Sequence, residues 1–125
     1  MNRIILILIL MIFCHLLADY PLQGWLAQAK TKSYWEKTNT KHDYIPALIC
    51  HSTMWSIMIF LPIIYFNGYE LGWFWLFLPL NIVIHCLIDD LKANKHKINL
   101  CQDQIMHLVQ IFSTWCIWLA FLGGY

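Results

Sequence analysis

Long apolar stretches take up most of this 125-residue chain. Because the hydrocarbon core of a bilayer is about 30 Å thick, a helix needs about 20 mostly apolar residues to cross it. Backbone polar groups in lipid must be satisfied within the segment, and the stretches lack the alternation of a barrel strand. The sequence therefore predicts an all-α fold, a single domain over residues 1–125. We expect an integral membrane bundle of four transmembrane helices at about residues 4–20, 45–66, 72–91 and 103–122.

Charge is scarce in this chain. Charged residues make up 12% of it and hydrophobic residues 60%, whereas about 25% of an average soluble domain is charged. A small soluble domain leaves much of its surface in water and cannot hide so much apolar area. The net charge of +1 does not provide the basic patch of a nucleic-acid-binding domain. The composition thus excludes an ordinary cytosolic enzyme, a disordered chain and a nucleic-acid partner, and it predicts membrane lipids as the surroundings.

The stretch between the first and second segments, residues 23–43, differs from the rest. It carries four lysines with Trp25, Tyr34 and Trp35 among them. Aromatic rings beside lysines are typical of a helix that lies at the level of the lipid headgroups. One interpretation is therefore an interfacial helix between the first and second spans, and the other is a solvated loop.

Basic residues are concentrated in two connections. Residues 23–43 carry four lysines and residues 92–97 carry three, which together are seven of the eight Lys and Arg residues. With four spans these two connections share a side, and only Arg3 lies on the other. The positive-inside rule then predicts that loops one and three are cytoplasmic and that both termini lie outside.

Ionisable side chains interrupt the apolar segments, and such residues within membrane spans mark functional sites. Three pairs of histidine and aspartate are spaced four residues apart, which places each pair on one helical face. The rise of 1.5 Å per residue brings the histidines of all four segments to one layer near the lysine-rich side. The predicted metal ligands are His15, Asp19, His51, His85, Asp89, Asp103 and His107.

Several carboxylates at one buried level need compensating positive charge. Isolated buried carboxylates take up a proton rather than stay ionised, and Lys92 is the nearest cation along the chain. Histidine nitrogen with aspartate oxygen is an ordinary ligand set for zinc, and the same set suits manganese or iron. We therefore predict one or two divalent metal ions, with zinc favoured.

Four motifs carry a resemblance to a known family. These are HLLADYPLQ at 15–23, His51, HCLIDDLK at 85–92 and DQIMH at 103–107. Together they resemble the small bacterial integral membrane proteins of the domain-of-unknown-function 3307 family, and more loosely the membrane-bound metal-dependent hydrolases. The resemblance implies a shared site in a bacterial plasma (inner) membrane and leaves its activity open.

Two functions fit the pattern. The first is a membrane-embedded metal-dependent hydrolase acting on a lipid-like ester or phosphate at the cytoplasmic interface, with Asp19 or Asp103 as ligand or general base. Lys92 and Gln104 would then hold a substrate oxygen. The second is a metal-ion or proton-coupled transport or binding protein that uses the same layer and would need a homo-oligomer to build a pathway. Because residues 73–79 are apolar, the pattern favours a one-sided pocket over a pore.

Overall fold

The computed structural model describes residues 2–121, and all regular structure in that range is helical. This confirms the predicted all-α class. The predicted end of the fourth segment, at residue 122, lies outside the described residues. The elements are α1 (Arg3–Asp19), α2 (Leu26–Ala29), α3 (Lys32–Trp35), α4 (Tyr44–Asn67), a 3-10 helix (Gly72–Leu76), α5 (Phe77–Ala93) and α6 (Leu100–Phe121).

Three helices in the described range are long and apolar enough to cross a membrane. They are α4 with 24 residues, the continuous stretch Gly72–Ala93 with 22, and α6 with 22. Helix α1 has only 17 residues, so it extends about 26 Å and falls short of a bilayer core of about 30 Å. The expectation of four membrane-crossing helices is therefore wrong in number. Helix α1 ends at Asp19 because Pro21 has no N–H with which to continue the helix.

Helix α1 nevertheless runs antiparallel along α4. At one end the Arg3 guanidinium donates hydrogen bonds to the carbonyl of Phe66 and, at 3.1 Å, to Asn67 Oδ1. At the other end Asp19 lies beside His51, with 3.4 Å between carboxylate oxygen and Nε2. The fully buried apolar side chains between the helices include Ile7, Met11, Trp55, Ile59, Phe60, Ile63 and Ile111.

The outside of the bundle is also apolar. Large hydrophobic side chains such as Ile9, Leu61, Val83 and Val109 are about half exposed or more. Helices that are apolar all round belong either to a large core or to a membrane, and a 125-residue chain has no large core. These surfaces are compatible with a membrane protein.

A stripe of polar side chains on α5, which includes Asn81, faces a stripe on α6, which includes Gln110 and Thr114, and the two are joined by hydrogen bonds. Gln110 Nε2 donates to Asn81 Oδ1 at 2.8 Å, and Thr114 Oγ1 donates to the same oxygen at 3.1 Å. Asn81 Nδ2 in turn donates to the carbonyl of Phe77. Such bonds join helices within a membrane, so this part of the stripe acts as a helix-to-helix contact.

Residues 23–43, which we call the covering segment, do not form one continuous interfacial helix. They contain the two four-residue helices α2 and α3, which fold back on each other because Trp35 Nε1 donates to the carbonyl of Ala29 at 2.7 Å. The covering segment is also no free loop, since the Lys32 N–H donates to Asn94 Oδ1 at 2.7 Å. Both lysine-rich connections therefore lie at the same end of the bundle.

Candidate metal centre

The seven predicted ligand residues form one buried cluster at the end of the bundle covered by residues 23–43. Each of their side chains is at most 7% exposed. Helix α1 supplies two of them, α4 one, α5 two and α6 two, so every long helix contributes. Residues 2–121 contain twelve buried polar side chains, and seven of them are the histidines and aspartates of this cluster: His15, Asp19, His51, His85, Asp89, Asp103 and His107.

The spacing of four residues works as the sequence predicts. Within each helix it brings imidazole and carboxylate to one face. The distances between nitrogen and oxygen are 3.5 Å for His15 and Asp19, 3.8 Å for His85 and Asp89, and 3.4 Å for His107 and Asp103. The three pairs point toward one another because apolar side chains cover the opposite faces of the helices.

A first group of ligand atoms surrounds His51 Nε2. The nearest are His85 Nε2 at 3.2 Å, Asp89 Oδ2 at 3.3 Å and Asp19 Oδ1 at 3.4 Å. Zinc–ligand bonds of 2.0–2.1 Å in a tetrahedron place neighbouring ligand atoms about 3.3–3.4 Å apart. Asp19, His51 and His85 could therefore hold a metal ion, since their ligand atoms all lie within 4.8 Å of one another.

A second group shares His85 with the first and adds Asp89 and His107. The His85 and His107 rings are stacked with their centroids 4.2 Å apart. His107 Nε2 lies 3.3 Å from Asp89 Oδ1 and 3.4 Å from Asp103 Oδ1. The two oxygens of Asp89 thus face different histidines, His51 and His107, and this carboxylate joins the two groups.

Two buried carboxylate oxygens lack a hydrogen-bond donor in the described part of the chain. They are Asp19 Oδ1 and Asp103 Oδ1, and each lies 3.4 Å from the Nε2 atom of a histidine. A buried acceptor without a donor costs about 1–3 kcal/mol, and more when it is charged. A cation between these oxygens and nitrogens would remove that cost, so the donor set fits a metal ion.

His15 differs from the other histidines. Its Nδ1 accepts a hydrogen bond from Trp55 Nε1 at 2.8 Å, and it belongs to neither of the two groups. Trp55 also stacks on His85 with ring centroids 4.2 Å apart. Sequence reasoning missed Trp55, although its position four residues after His51 places it on the same face of α4.

Lys30 of the covering segment is the second residue that sequence reasoning missed. Its Nζ lies 2.5 Å from Asp89 Oδ2, and its side chain is only 12% exposed. Asn94 at the end of α5 holds the segment in place, because its Nδ2 donates to the Lys30 carbonyl at 3.2 Å. The sequence shows Lys30 only as one of four lysines in a polar stretch.

The predicted rim residues lie beside Asp103. Lys92 Nζ donates to Asp103 Oδ2 at 2.7 Å, and Gln104 Nε2 donates to the same oxygen at 3.1 Å. Gln104 also reaches Asp19 Oδ2 at 3.3 Å. Lys92 is 36% exposed whereas Asp103 is 1% exposed, so on this side one lysine side chain lies between the buried cluster and the surface.

The charge balance differs from the one expected. Asp90 points away from the cluster and pairs with Lys95 at 2.7 Å. Three carboxylates remain, those of Asp19, Asp89 and Asp103, and the two lysines Lys30 and Lys92 lie against them. With neutral histidines the formal charge of the centre is −1, which is a small excess of negative charge. The stronger support for a metal ion is therefore the spacing of the ligand atoms.

Lys30 occupies the Asp89 oxygen that faces His51, so a bound cation must compete with its ammonium group. We predict that Lys30→Ala raises the affinity for zinc by about tenfold, corresponding to 1.4 kcal/mol. Competition with a chelating dye in detergent measures the dissociation constant. Lys32→Ala is the matched control, because it removes the same charge from the same segment while its Nζ lies over the Tyr44 ring. A lower affinity of Lys30→Ala would contradict the prediction and show that Lys30 positions Asp89 for the metal.

Comparison with known protein families identifies the family of this chain. The family model described as "Protein of unknown function (DUF3307)" matches residues 7–121, a range that includes all four motifs on which the resemblance was based. No curated protein and no solved structure matches the chain.

Proposed function

This chain belongs to the DUF3307 family of proteins of unknown function, and we propose that it is a membrane-embedded hydrolase that depends on a divalent metal ion. Its substrate would be a lipid-like molecule with an ester or phosphate link. The observation that carries the proposal is the spacing of 3.2–3.4 Å between His51 Nε2 and the ligand atoms of three other residues, which are His85, Asp89 and Asp19.

Zinc is the proposed ion. Imidazole and carboxylate ligands at tetrahedral spacing suit it, whereas magnesium favours octahedral oxygen ligands. Asp19, His51 and His85 would hold one ion, and His85 would have to serve either this ion or a second one beside Asp89 and His107. When bound, zinc lowers the pKa of a coordinated water to about 7 and polarises a carbonyl or phosphoryl oxygen.

The remaining groups of the centre would bind the substrate and move protons. Asp103 Oδ1 has no donor in the described residues, so it is the proposed acceptor for the proton of the attacking water. Lys92 and Gln104 carry N–H donors beside it, and they would bind the oxygen on which negative charge develops. Hydrolysis adds this water across the ester or phosphate bond, and the proton passes to the leaving oxygen.

The location of the centre supports a lipid substrate. It lies at the end of the bundle where the covering segment and the connection after α5 meet. The covering segment together with residues 92–97 carries seven of the eight Lys and Arg residues. By the positive-inside rule we propose that this end faces the cytoplasm, at the inner membrane of a bacterium. The ester links of lipids lie at this depth, where the headgroups meet the hydrocarbon.

The alternative is transport of a metal ion or proton through the same cluster. A pathway would have to continue past Asn81, where the hydrogen bonds of Gln110 and Thr114 close the stripe. Beyond that point the buried side chains of the described residues are mainly apolar, such as Phe74 and Trp118. These observations favour the hydrolase.

The test uses the purified protein in mixed micelles with a labelled phospholipid. We expect labelled product to form, to disappear after chelation and to return when zinc is added. Asp103→Asn should lower the rate at least about 100-fold, the lower end for loss of a general base. Zinc uptake into vesicles without any product would overturn the hydrolase and establish transport.

A further inference from the structure

An open groove of about 360 Å³ runs along the outside of the bundle between α5 and α6. It extends from Phe77 and Ile117 at one end to Ile88 and Ile105 at the other. The side chains along it are mostly apolar, and its volume is within the range of small-molecule sites. The metal centre does not use this groove.

The groove has the length of one lipid leaflet. From Phe77 to Ile88 it covers eleven residue steps of α5, which is about 17 Å at 1.5 Å per residue. Half of a bilayer core of 30 Å is about 15 Å. An extended acyl chain that enters at one end of the groove would reach the middle of the membrane at the other.

One end of the groove adjoins the metal centre. Ile88 directly precedes Asp89, and Ile105 follows Asp103 by two residues. Lys92, one helical turn beyond Ile88, is partly exposed, and its ammonium binds Asp103. Its remaining N–H donors lie where an anionic headgroup would be. The wall of the groove is polar only near its middle, where Gln110 Nε2 donates to Asn81 Oδ1 and Gln110 Oε1 is a buried acceptor without a donor in the described residues.

We propose that this groove binds one acyl chain of an anionic membrane lipid and places the ester or phosphate link of that lipid at the metal centre. The proposal names the substrate class of the proposed function and rests on it for the reactive link. A helix of a second copy is too wide to enter the groove and could only lie across its mouth. With a diameter of 10–12 Å, it would fill more than about 1,300 Å³ over a length of 17 Å.

The test is photocrosslinking in nanodiscs of phosphatidylethanolamine and phosphatidylglycerol. The probe is phosphatidylglycerol with a diazirine on one acyl chain, and mass spectrometry locates the labelled peptides. We expect the label to concentrate on the groove faces of α5 and α6. Val109→Trp should reduce this labelling about tenfold because the indole fills the groove. Val83→Trp is the matched control, since Val83 is 55% exposed and Val109 60% but only Val109 lines the groove.

Each outcome decides the proposal. Equal labelling of all outward faces, or a Val109→Trp variant labelled as strongly as Val83→Trp, would overturn it. Crosslinks between two chains along α5 and α6 would also overturn it and make the groove a subunit interface. The metal-free His85→Ala variant should keep the groove labelling. If the wild type is labelled in the groove but neither binds zinc nor forms product, the lipid site is supported and the hydrolase proposal is contradicted.

Discussion

His85→Ala is expected to abolish metal binding while the helices remain folded. His85 belongs to both groups of ligand atoms, so a single substitution removes a ligand from each. Loss of a residue that only supports a ligand typically lowers metal affinity 10–100-fold, and loss of this shared ligand should exceed about 100-fold. Elemental analysis of the purified protein gives the metal content, chelator competition gives the affinity, and circular dichroism reports the helix content.

His15→Ala is the matched control for this experiment. It removes an imidazole that is equally buried, at 1% exposure, but whose Nδ1 is already bonded to Trp55. We expect this variant to lose thermal stability and to keep its metal. Full zinc content in His85→Ala would contradict the proposed centre, and loss of zinc in His15→Ala would make His15 a ligand, as the sequence pattern alone predicts.

Asp89→Asn is expected to remove the metal and to destabilise the fold as well. The two carboxylate oxygens of Asp89 face His107 and His51. The asparagine amide replaces one of these oxygen acceptors with an N–H donor. The substitution also leaves the Lys30 ammonium without its partner. Breaking a fully buried ion pair costs about 3–5 kcal/mol, and because Lys30 is 12% exposed we expect the lower end of that range. Thermal unfolding in detergent measures the loss of stability.

The adjacent Asp90 provides the control. Asp90→Asn is the same chemical change one residue away, at a carboxylate that is 18% exposed and bound to Lys95. The asparagine oxygen can still accept the hydrogen bond from Asn94 Nδ2, so zinc content and stability should remain nearly unchanged. Adding Lys30→Met to Asp89→Asn should recover stability without recovering zinc. Equal effects of Asp89→Asn and Asp90→Asn would show that zinc content and stability depend on the net charge at this end of the bundle and not on metal ligation by Asp89.

The residues of the centre were predictable because helix geometry is local. A spacing of four residues puts His85 above Asp89 in any α-helix, whatever packs against it. The number of spans was less predictable, because α1 is apolar enough to cross a membrane but is only 17 residues long. The path of residues 23–43 was not predictable either, since the segment forms two short helices and folds onto the bundle through Asn94, a contact across 62 residues of sequence.

The part played by Lys30 and Trp55 depends on contacts between distant parts of the chain. Lys30 meets Asp89 across 59 residues, and Trp55 meets His15 across 40. No periodicity relates such residues, because their distance is set by the path of the covering segment and by the packing of α1 on α4. The tight pairing of His51 with His85, on which the metal proposal depends, arises in the same way.

Hydropathy and helical spacing alone thus specify a helical protein with a buried layer of histidines and aspartates near its lysine-rich end. They do so because apolar length and the repeat of 3.6 residues act within each segment. Packing between helices decides the rest. It determines which nitrogens and oxygens approach within 3.2–3.4 Å, which lysine competes for Asp89, and where α5 and α6 separate to leave a groove. Those distances depend on side chains from several segments at once, so they exist only in the folded bundle.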